Sequence, residues 1–222
     1  MVETNLAGAA LFDLSQTMAG KIFEGTGYAW EALPRIKDFI QVLAASLPAD
    51  FETIGEAVWV GKGTEIDSTV MIKGPAIIGY NCLIRHAAYI RENVIIGNEV
   101  TVGNSTELKN AILFNGVQVP HFNYVGDSIL GYKAHLGAGV ILSNVKTTGG
   151  TVQVKTPEKI IETGLRKFGA MLGDQVEVGC NAVLNPGTVV GKGSIIYPLT
   201  SVRGVVPPYS IMKNDGKIKS KV

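Results

Sequence analysis

A six-residue period constrains this chain more than any other feature. Counting in sixes from Ile66 gives Ile72, Ile78, Ile84, Ile90, Ile96, Val102, Leu108, Phe114 and Pro120, and all but the last are apolar non-proline residues. After a shift of phase the row resumes at Leu130, Leu136 and Leu142. After an interruption it returns in the same frame as Leu172, Val178, Leu184, Val190, Ile196 and Val202. The residue after the aliphatic one is often glycine, as at Gly79, Gly97, Gly131, Gly137 and Gly179. Glycine suits a sharp corner because it lacks the Cβ that restricts the backbone. Small or β-branched side chains recur four residues after the aliphatic one, as at Val70, Ala76, Cys82, Ala88 and Val94. Neither the helical period nor strand alternation yields a repeat of six.

Each hexapeptide therefore predicts one short strand and one corner. Three hexapeptides make a triangular coil of 18 residues, and coils stack at about 4.8 Å. No single coil buries its inner face, so neighbours must stack to form a core. The expected fold is all-β, a parallel β-helix of hexapeptide repeats over residues 53–210. Residues 1–52 lack the repeat. There Leu33, Ile36, Phe39, Ile40 and Leu43 follow helical spacing and predict an amphipathic helix ending near Pro48. It is read as an N-terminal helical cap over the open first coil, since solenoid ends need covering; a partner- or substrate-binding arm is the other reading. Residues 146–167 leave the repeat and re-enter it in frame, as a loop insertion ejected from a corner would. The end of the chain, with Pro207-Pro208 and several lysines, predicts a frayed polar tail over 211–222.

Composition removes several function classes. The net charge of +1 gives neither a nucleic-acid footprint nor a polybasic membrane surface. No apolar run reaches the length of a membrane span, and no basic-then-apolar leader opens the chain. Two cysteines, Cys82 and Cys180, make a disulfide scaffold unexpected and a reducing cytoplasm the default.

Cations break the corner pattern at Lys73, Arg85, Arg91 and Lys109, and His121 follows Pro120. Lys73, Arg91 and Lys109 stand 18 apart, so they are expected to stack on one edge. Such a row repels itself unless an anion intervenes, and a phosphate would accept charge-assisted hydrogen bonds from it. Lys73 and Arg85 are equally served by extending into water. Arg85 and His121 are expected on another edge with Gly103 between them. His86, 35 residues before His121, is out of step with an 18-residue coil and is expected to face elsewhere. Tyr124 is too large for the interior slot that the frame assigns it. A local break in a strict repeat points to function, although a corner histidine taken alone is ordinarily an exposed polar residue.

The stretch from Arg91 to Gly139 resembles the acetyltransferase domain of the bifunctional N-acetylglucosamine-1-phosphate uridyltransferases. The strongest match is His121-Phe122-Asn123-Tyr124-Val125-Gly126-Asp127, followed by Leu136-Gly137-Ala138-Gly139. The resemblance implies left-handed winding, a homotrimer with sites between subunits, and acetyl-CoA as the acetyl donor. It implies His121 as general base with Glu107 assisting, and Arg91, Lys109 and Lys167 on the substrate phosphate. Tyr124 would hold the sugar, and Asn144 would position the acetyl group or the amine in the acetyl-CoA site. The Ala138 amide would face the acetyl oxygen. Departures are His135 where that family has a substrate asparagine, Val145 in place of an acetyl-CoA-site tyrosine, and Cys180 in place of a serine near the pantetheine. The expected activity is N-acetylation of an amino sugar 1-phosphate such as glucosamine 1-phosphate. A nucleotide-linked or hydroxyl acceptor, and a non-catalytic sugar-nucleotide-binding trimer, are the alternatives. A zinc hydratase on the same repeat needs three converging imidazoles, and only His86, His121 and His135 are present; no metal site is expected.

Overall fold

A computed structural model describes residues 4–221. The chain is a parallel β-helix of about nine turns. Its coils run through three faces in a fixed order. The first face stacks Val58–Val60, Ala76–Ile78, Val94–Ile96, Ala111–Leu113, Ser128–Leu130, Ala170–Leu172 and Thr188–Val190, all parallel. The third carries Glu65–Ile66, Leu83–Ile84, Thr101–Asn104, Gln118–His121, His135–Leu136 and Glu177–Val178. The second, which follows it in each coil, stacks Met71–Ile72, Tyr89–Ile90, Glu107–Lys109, Tyr124–Gly126 and Ile141–Leu142. Aliphatic residues fill the prism, and Ile78, Ile90, Ile96, Val102, Leu108 and Val125 are wholly buried.

The frame departs from expectation at two places. Leu113, not Phe114, stacks on Ile96, and Val119, not Pro120, stacks on Val102. The rungs from Leu108 to Leu113 and from Val125 to Leu130 are one residue short, and each turns its corner through one left-handed residue, Asn110 and Asp127, φ 46° in both. The coils through this region therefore repeat every 17 residues, with Glu107 opposite Tyr124 and Leu108 opposite Val125. Tyr124 accordingly lies on the outer surface with Val125 inside, which corrects its expected interior placement. Most left-handed corner residues are not glycine at all; Asn81, Asn93, Glu99 and Lys133 do the same work elsewhere. The glycines after the aliphatic row answer to close approach instead. A Cβ on Gly97 would meet the Asn115 amide nitrogen at 2.7 Å, and one on Gly79 would meet the Gly97 carbonyl oxygen at 2.5 Å.

The first face differs from the other two. Its outward-pointing residues Ile77, Ile95, Ile112, Ile129, Met171 and Val189 are as buried as its inward ones. The N-terminal segment covers them. It runs through short 3₁₀ turns into the helix Ile36–Ala44, whose Ile36 and Ile40 are fully buried. The helix thus forms where the periodicity placed it, but it packs along the first face instead of over the open first coil. Its contacts are with Ala76–Ile78, Val94–Ile96 and the Glu107–Leu113 strand. Burying an aliphatic side chain stabilises by roughly 1.5–3 kcal/mol, so a six-residue outward stripe is a stronger sink for an amphipathic helix than one coil end. Phe114, pushed out of the interior row, is buried here against Phe12 and Phe23 at centroid separations of 5.0 and 6.4 Å. The start of the solenoid is closed by Phe51–Gly55, which pairs antiparallel with Val58–Gly61.

The insertion leaves the coil after Asn144 and returns at Phe168, and the Phe168 N–H donates to the Asn144 carbonyl at 2.9 Å. Between them Gln153–Lys155 and Ile160–Glu162 form an antiparallel hairpin. Val152 and Val154 are fully buried, so the hairpin lies back on the solenoid. The tail is not frayed as expected: Ser210–Met212 pairs antiparallel with Ile218–Ser220. The turn between them is made by Gly216 at φ 79° and by Asp215, whose carboxylate accepts from the Lys217 N–H. Among the described residues no helix is long and apolar enough to cross a membrane.

Candidate active site

The second face presents its outward positions as one surface. Strand pairing sets Tyr89, Glu107, Tyr124 and Ile141 in one row, and Arg91, Lys109 and Gly126 in the next. Lys73, Arg91 and Lys109 do share an edge, as their spacing required: the Lys73 N–H donates to Ile90 and the Arg91 N–H to Leu108. Their repulsion is relieved unequally. Arg91 donates to Glu107 at 3.0 Å and lies 3.8 Å from Glu92. Lys73 sits over the Tyr89 ring at 5.5 Å from its centroid. Lys109 has no such carboxylate partner, and Lys167 stands beside it. Burial first, then the Lys167 and Arg91 charges, hold the Lys109 ammonium below the ordinary lysine range, against the pull of Asp127. A cationic group so placed gains most from a bound anion.

Lys167 arrives from the insertion because Phe168, its neighbour, is anchored. The Phe168 ring is fully buried and lies 5.7 Å from that of Trp30. The corner beneath these lysines carries a column of amides around one carboxylate. Asp127, almost fully buried, accepts from Asn110 Nδ2 at 3.0 Å and from Asn144 Nδ2 at 2.5 Å, one donor on each oxygen. A carboxylate only accepts, so Asp127 takes both amide nitrogens, and Asn144 Oδ1 is not among its partners. Tyr124 folds back over Gly126: a Cβ there would meet the Tyr124 hydroxyl at 2.6 Å and Asn144 Nδ2 at 2.8 Å. Burial, with Glu107 and Asp127 adding to it, raises the Tyr124 hydroxyl's pKa. The hydroxyl stays protonated and can donate.

His121 occupies the opposite vertex, three residues before Tyr124. Its ring is exposed and carries no hydrogen bond among the described residues, while its own N–H donates to Asn123 Oδ1 at 3.1 Å. The 17-residue coils align this vertex differently from expectation. Arg85 continues into Gly103 and then Pro120, whereas His121 pairs with Asn104, and Asn104 accounts for the next step to His86. His86 thus shares the His121 column, contrary to the expectation that it faces elsewhere, because one coil between them is a residue short. Two rungs, about 10 Å, still separate the imidazoles, and His86 is held by Thr69 Oγ1 at 2.8 Å. Toward the C-terminus the same column continues through Ala138 and Cys180: Gly139 N–H donates to the His121 carbonyl and Asn181 N–H to that of Ala138. Among the described residues the Ala138 N–H has no partner. Cys82 and Cys180 are free thiols, and Cys180 is exposed.

Arg91, Glu107, Lys109, Tyr124, Asn144 and Lys167 are therefore brought onto one face, and His121, Ala138 and Cys180 onto its bordering vertex. His135 is not brought to them within one chain. It lies on the third face between Gln118 and Glu177, and its Nδ1 is 2.8 Å from Glu177 Oε2. Among the described residues no three His, Cys, Asp or Glu side chains converge on a metal-sized site. Asn110, Asp127 and Arg166 were not singled out from the sequence. The first two had a signal: Asn93, Asn110, Asp127 and Asn144 recur at intervals of 17.

A β-helix with a cationic face ending in an exposed vertex imidazole defines a class, the hexapeptide-repeat transferases. Residues 72–164 match the family described as GMPPB C-terminal domain. The bifunctional sugar-1-phosphate nucleotidylyltransferase/acetyltransferase of Sulfurisphaera tokodaii is 34% identical over 151 residues, 60% of this chain and 38% of that protein. The bifunctional protein GlmU of Methanococcus vannielii is 34% identical over 173 residues, 77% of this chain and 42% of its own. The uncharacterized acetyltransferase YaiX of Escherichia coli O6:K15:H31 is 36% identical over 156 residues, 70% of this chain and 67% of YaiX. The chain spans less than half the length of the bifunctional relatives. It belongs to the hexapeptide-repeat acetyltransferases of the kind found at the C-terminus of GlmU-type proteins.

Proposed function

We propose that the protein is an acetyl-CoA-dependent N-acetyltransferase acting on the amine of an amino sugar that carries phosphate on its anomeric carbon, glucosamine 1-phosphate being the simplest such acceptor. The observation that carries this reading is the division of one face into two ends. A free imidazole stands at one vertex, and an incompletely neutralised lysine pair, Lys109 and Lys167, stands at the other.

Arg91, Lys109 and Lys167 hold the phosphate, and Tyr124 with Glu107 borders the sugar between the two ends. His121 takes a proton from the attacking amine as its lone pair forms the bond to the thioester carbonyl carbon. A positioned base contributes roughly 10²–10⁴-fold. Glu107, held by Arg91 in the free protein, turns to orient the imidazole once the substrate phosphate takes Arg91. Asn144 stands at the lysine end of this face, bonded to Asp127, and so reaches the acetyl group or amine of a site closed by a neighbouring copy. The unpartnered Ala138 N–H stabilises the oxyanion, the kind of contribution that exceeds an ordinary hydrogen bond in a water-excluded site. When the carbon–sulfur bond breaks, His121 returns the proton to the departing thiolate of coenzyme A. The small residues Gly137, Ala138, Gly139 and Cys180 leave room beside His121 for the pantetheine arm. His135, on the third face, reaches an acceptor only from a neighbouring copy, which fits a homotrimer with sites between subunits. The free thiols suit the cytoplasm, where acetyl-CoA is made and used.

The test is His121→Ala, assayed by thiol release from acetyl-CoA with amino sugar 1-phosphates. Transfer should fall at least a hundredfold with the assembly intact; intact trimers that retain full transfer exclude this role.

A further inference from the structure

A cavity of about 560 Å³ opens beyond the lysine end of the second face. Asn110, Asp127, Val145 and Lys167 are among the residues that line it. Lys167 in its lining holds the phosphate and Val145 falls in the stretch the resemblance gives to acetyl-CoA, whereas Leu33, Pro34, Gly149, Gly150, Leu165 and Arg166 have no part in the acetyl transfer proposed above. Pockets that enclose a drug-sized ligand run from about 300 to 1,000 Å³, so it is large enough for a substantial organic group. A sugar laid along the face with its amine at His121 and its phosphate on Lys109 directs whatever is esterified to that phosphate into the cavity.

We infer that this cavity holds the nucleoside end of the acceptor, and hence that the acceptor is a nucleoside-diphosphate amino sugar. This rests on the acetyl-transfer reading and names its substrate class. The lining fits such a group part by part. Arg166, next to Lys167 in the chain, also lines it, so a second phosphate has its own cation. The Asp127 carboxylate in the lining repels an anion but accepts hydrogen bonds, which suits ribose hydroxyls. Leu33, Pro34 and Leu165 form apolar walls for the faces of a base. Gly149 and Gly150, at φ 72° and 78° with open space where a Cβ would be, expose bare main chain to its polar edge. Most of these walls come from the N-terminal segment and the insertion, both of which lie outside the repeat. Both departures from the solenoid are thereby accounted for by one ligand.

The experiment compares acetylation of UDP-, GDP- and dTDP-linked amino sugars with that of the corresponding amino sugar 1-phosphates. In parallel, calorimetry measures binding of UDP, GDP and dTDP to the intact protein. At least one nucleoside diphosphate should bind, compete with the acceptor and not with acetyl-CoA, and its amino sugar should be about tenfold or more the better substrate. A hydrogen bond to a charged group contributes about 1.5–3 kcal/mol, so Arg166→Glu should raise KM for the nucleotide-linked acceptor about tenfold or more. It should leave KM for the sugar 1-phosphate nearly unchanged. Equal use of both acceptors with Arg166→Glu silent overturns the inference and leaves acetyl transfer standing. Competition with acetyl-CoA also overturns it, by giving the cavity to the adenosine diphosphate part of coenzyme A. Failure of every acceptor, with a nucleoside diphosphate still bound and weakened by Arg166→Glu, sinks acetyl transfer and keeps the nucleotide site.

Discussion

Replacing Asp127 with asparagine preserves shape and removes one acceptor. In the native corner each carboxylate oxygen takes one amide donor, Asn110 Nδ2 and Asn144 Nδ2. An asparagine has a single side-chain oxygen, so one of the two bonds is lost and two NH₂ groups are set face to face. A hydrogen bond to a charged group contributes about 1.5–3 kcal/mol. Loss at Asn144, the more buried donor, puts the cost in the upper part of that range, about 3 kcal/mol. Urea unfolding, with midpoint and slope both followed, measures it. The functional effect should be separable. Asn144 loses the partner that holds it, and misplacing a positioning group costs on the order of 10²-fold. With an amino sugar 1-phosphate as acceptor, kcat should therefore fall while KM moves little. Unchanged stability together with unchanged kcat refutes the reasoning, as does a loss confined to KM.

Other consequences are equally direct. Phe114→Ala should cost about 3–5 kcal/mol and expose the N-terminal segment to limited proteolysis, since Phe114 is wholly buried beneath Phe12 and Phe23. Lys109 should lose its charge at lower pH than a surface lysine, so affinity for a phosphate ligand, followed by calorimetry, should decline before pH reaches the ordinary lysine value of 10.5. The stability sign follows. A lysine whose folded pKa is lowered binds its proton more tightly when unfolded, and its penalty to folding is full below that lowered pKa and fades as pH rises through it toward 10.5. Lys109→Met should thus raise the unfolding temperature at neutral pH while weakening phosphate binding.

The solenoid was legible in the sequence because the interior aliphatic row is a direct print of the coil. What the row hid were the two short rungs. Phe114 is apolar and fits a six-residue count, although it packs outside the prism against the N-terminal segment. The register it suggested misplaced His121 and Tyr124 by one position. The asparagine and aspartate column at intervals of 17 held the correction, since such residues tolerate left-handed corners. The burial of the first face was also written in its runs, Ala76-Ile77-Ile78, Val94-Ile95-Ile96 and Ala111-Ile112-Leu113. A strand exposed on one side would alternate. Which element covers that face is a matter of long-range packing and has no local signal. Lys73, Arg91 and Lys109 could be ordered along an edge from spacing alone, whereas the short rungs shift His121 by one position. Lys167 could not, because an insertion of arbitrary path returns it.

The sealed flank has a geometric consequence for assembly. Copies meeting side by side along the prism have only the two remaining flanks to offer, and these are unlike surfaces. Each contact is then heterologous, one subunit's second flank against its neighbour's third, and such contacts either close into a ring or run on without end. In the homotrimer proposed above, a triangular cross-section would turn the corner of the ring and leave the N-terminal wrap on its outside.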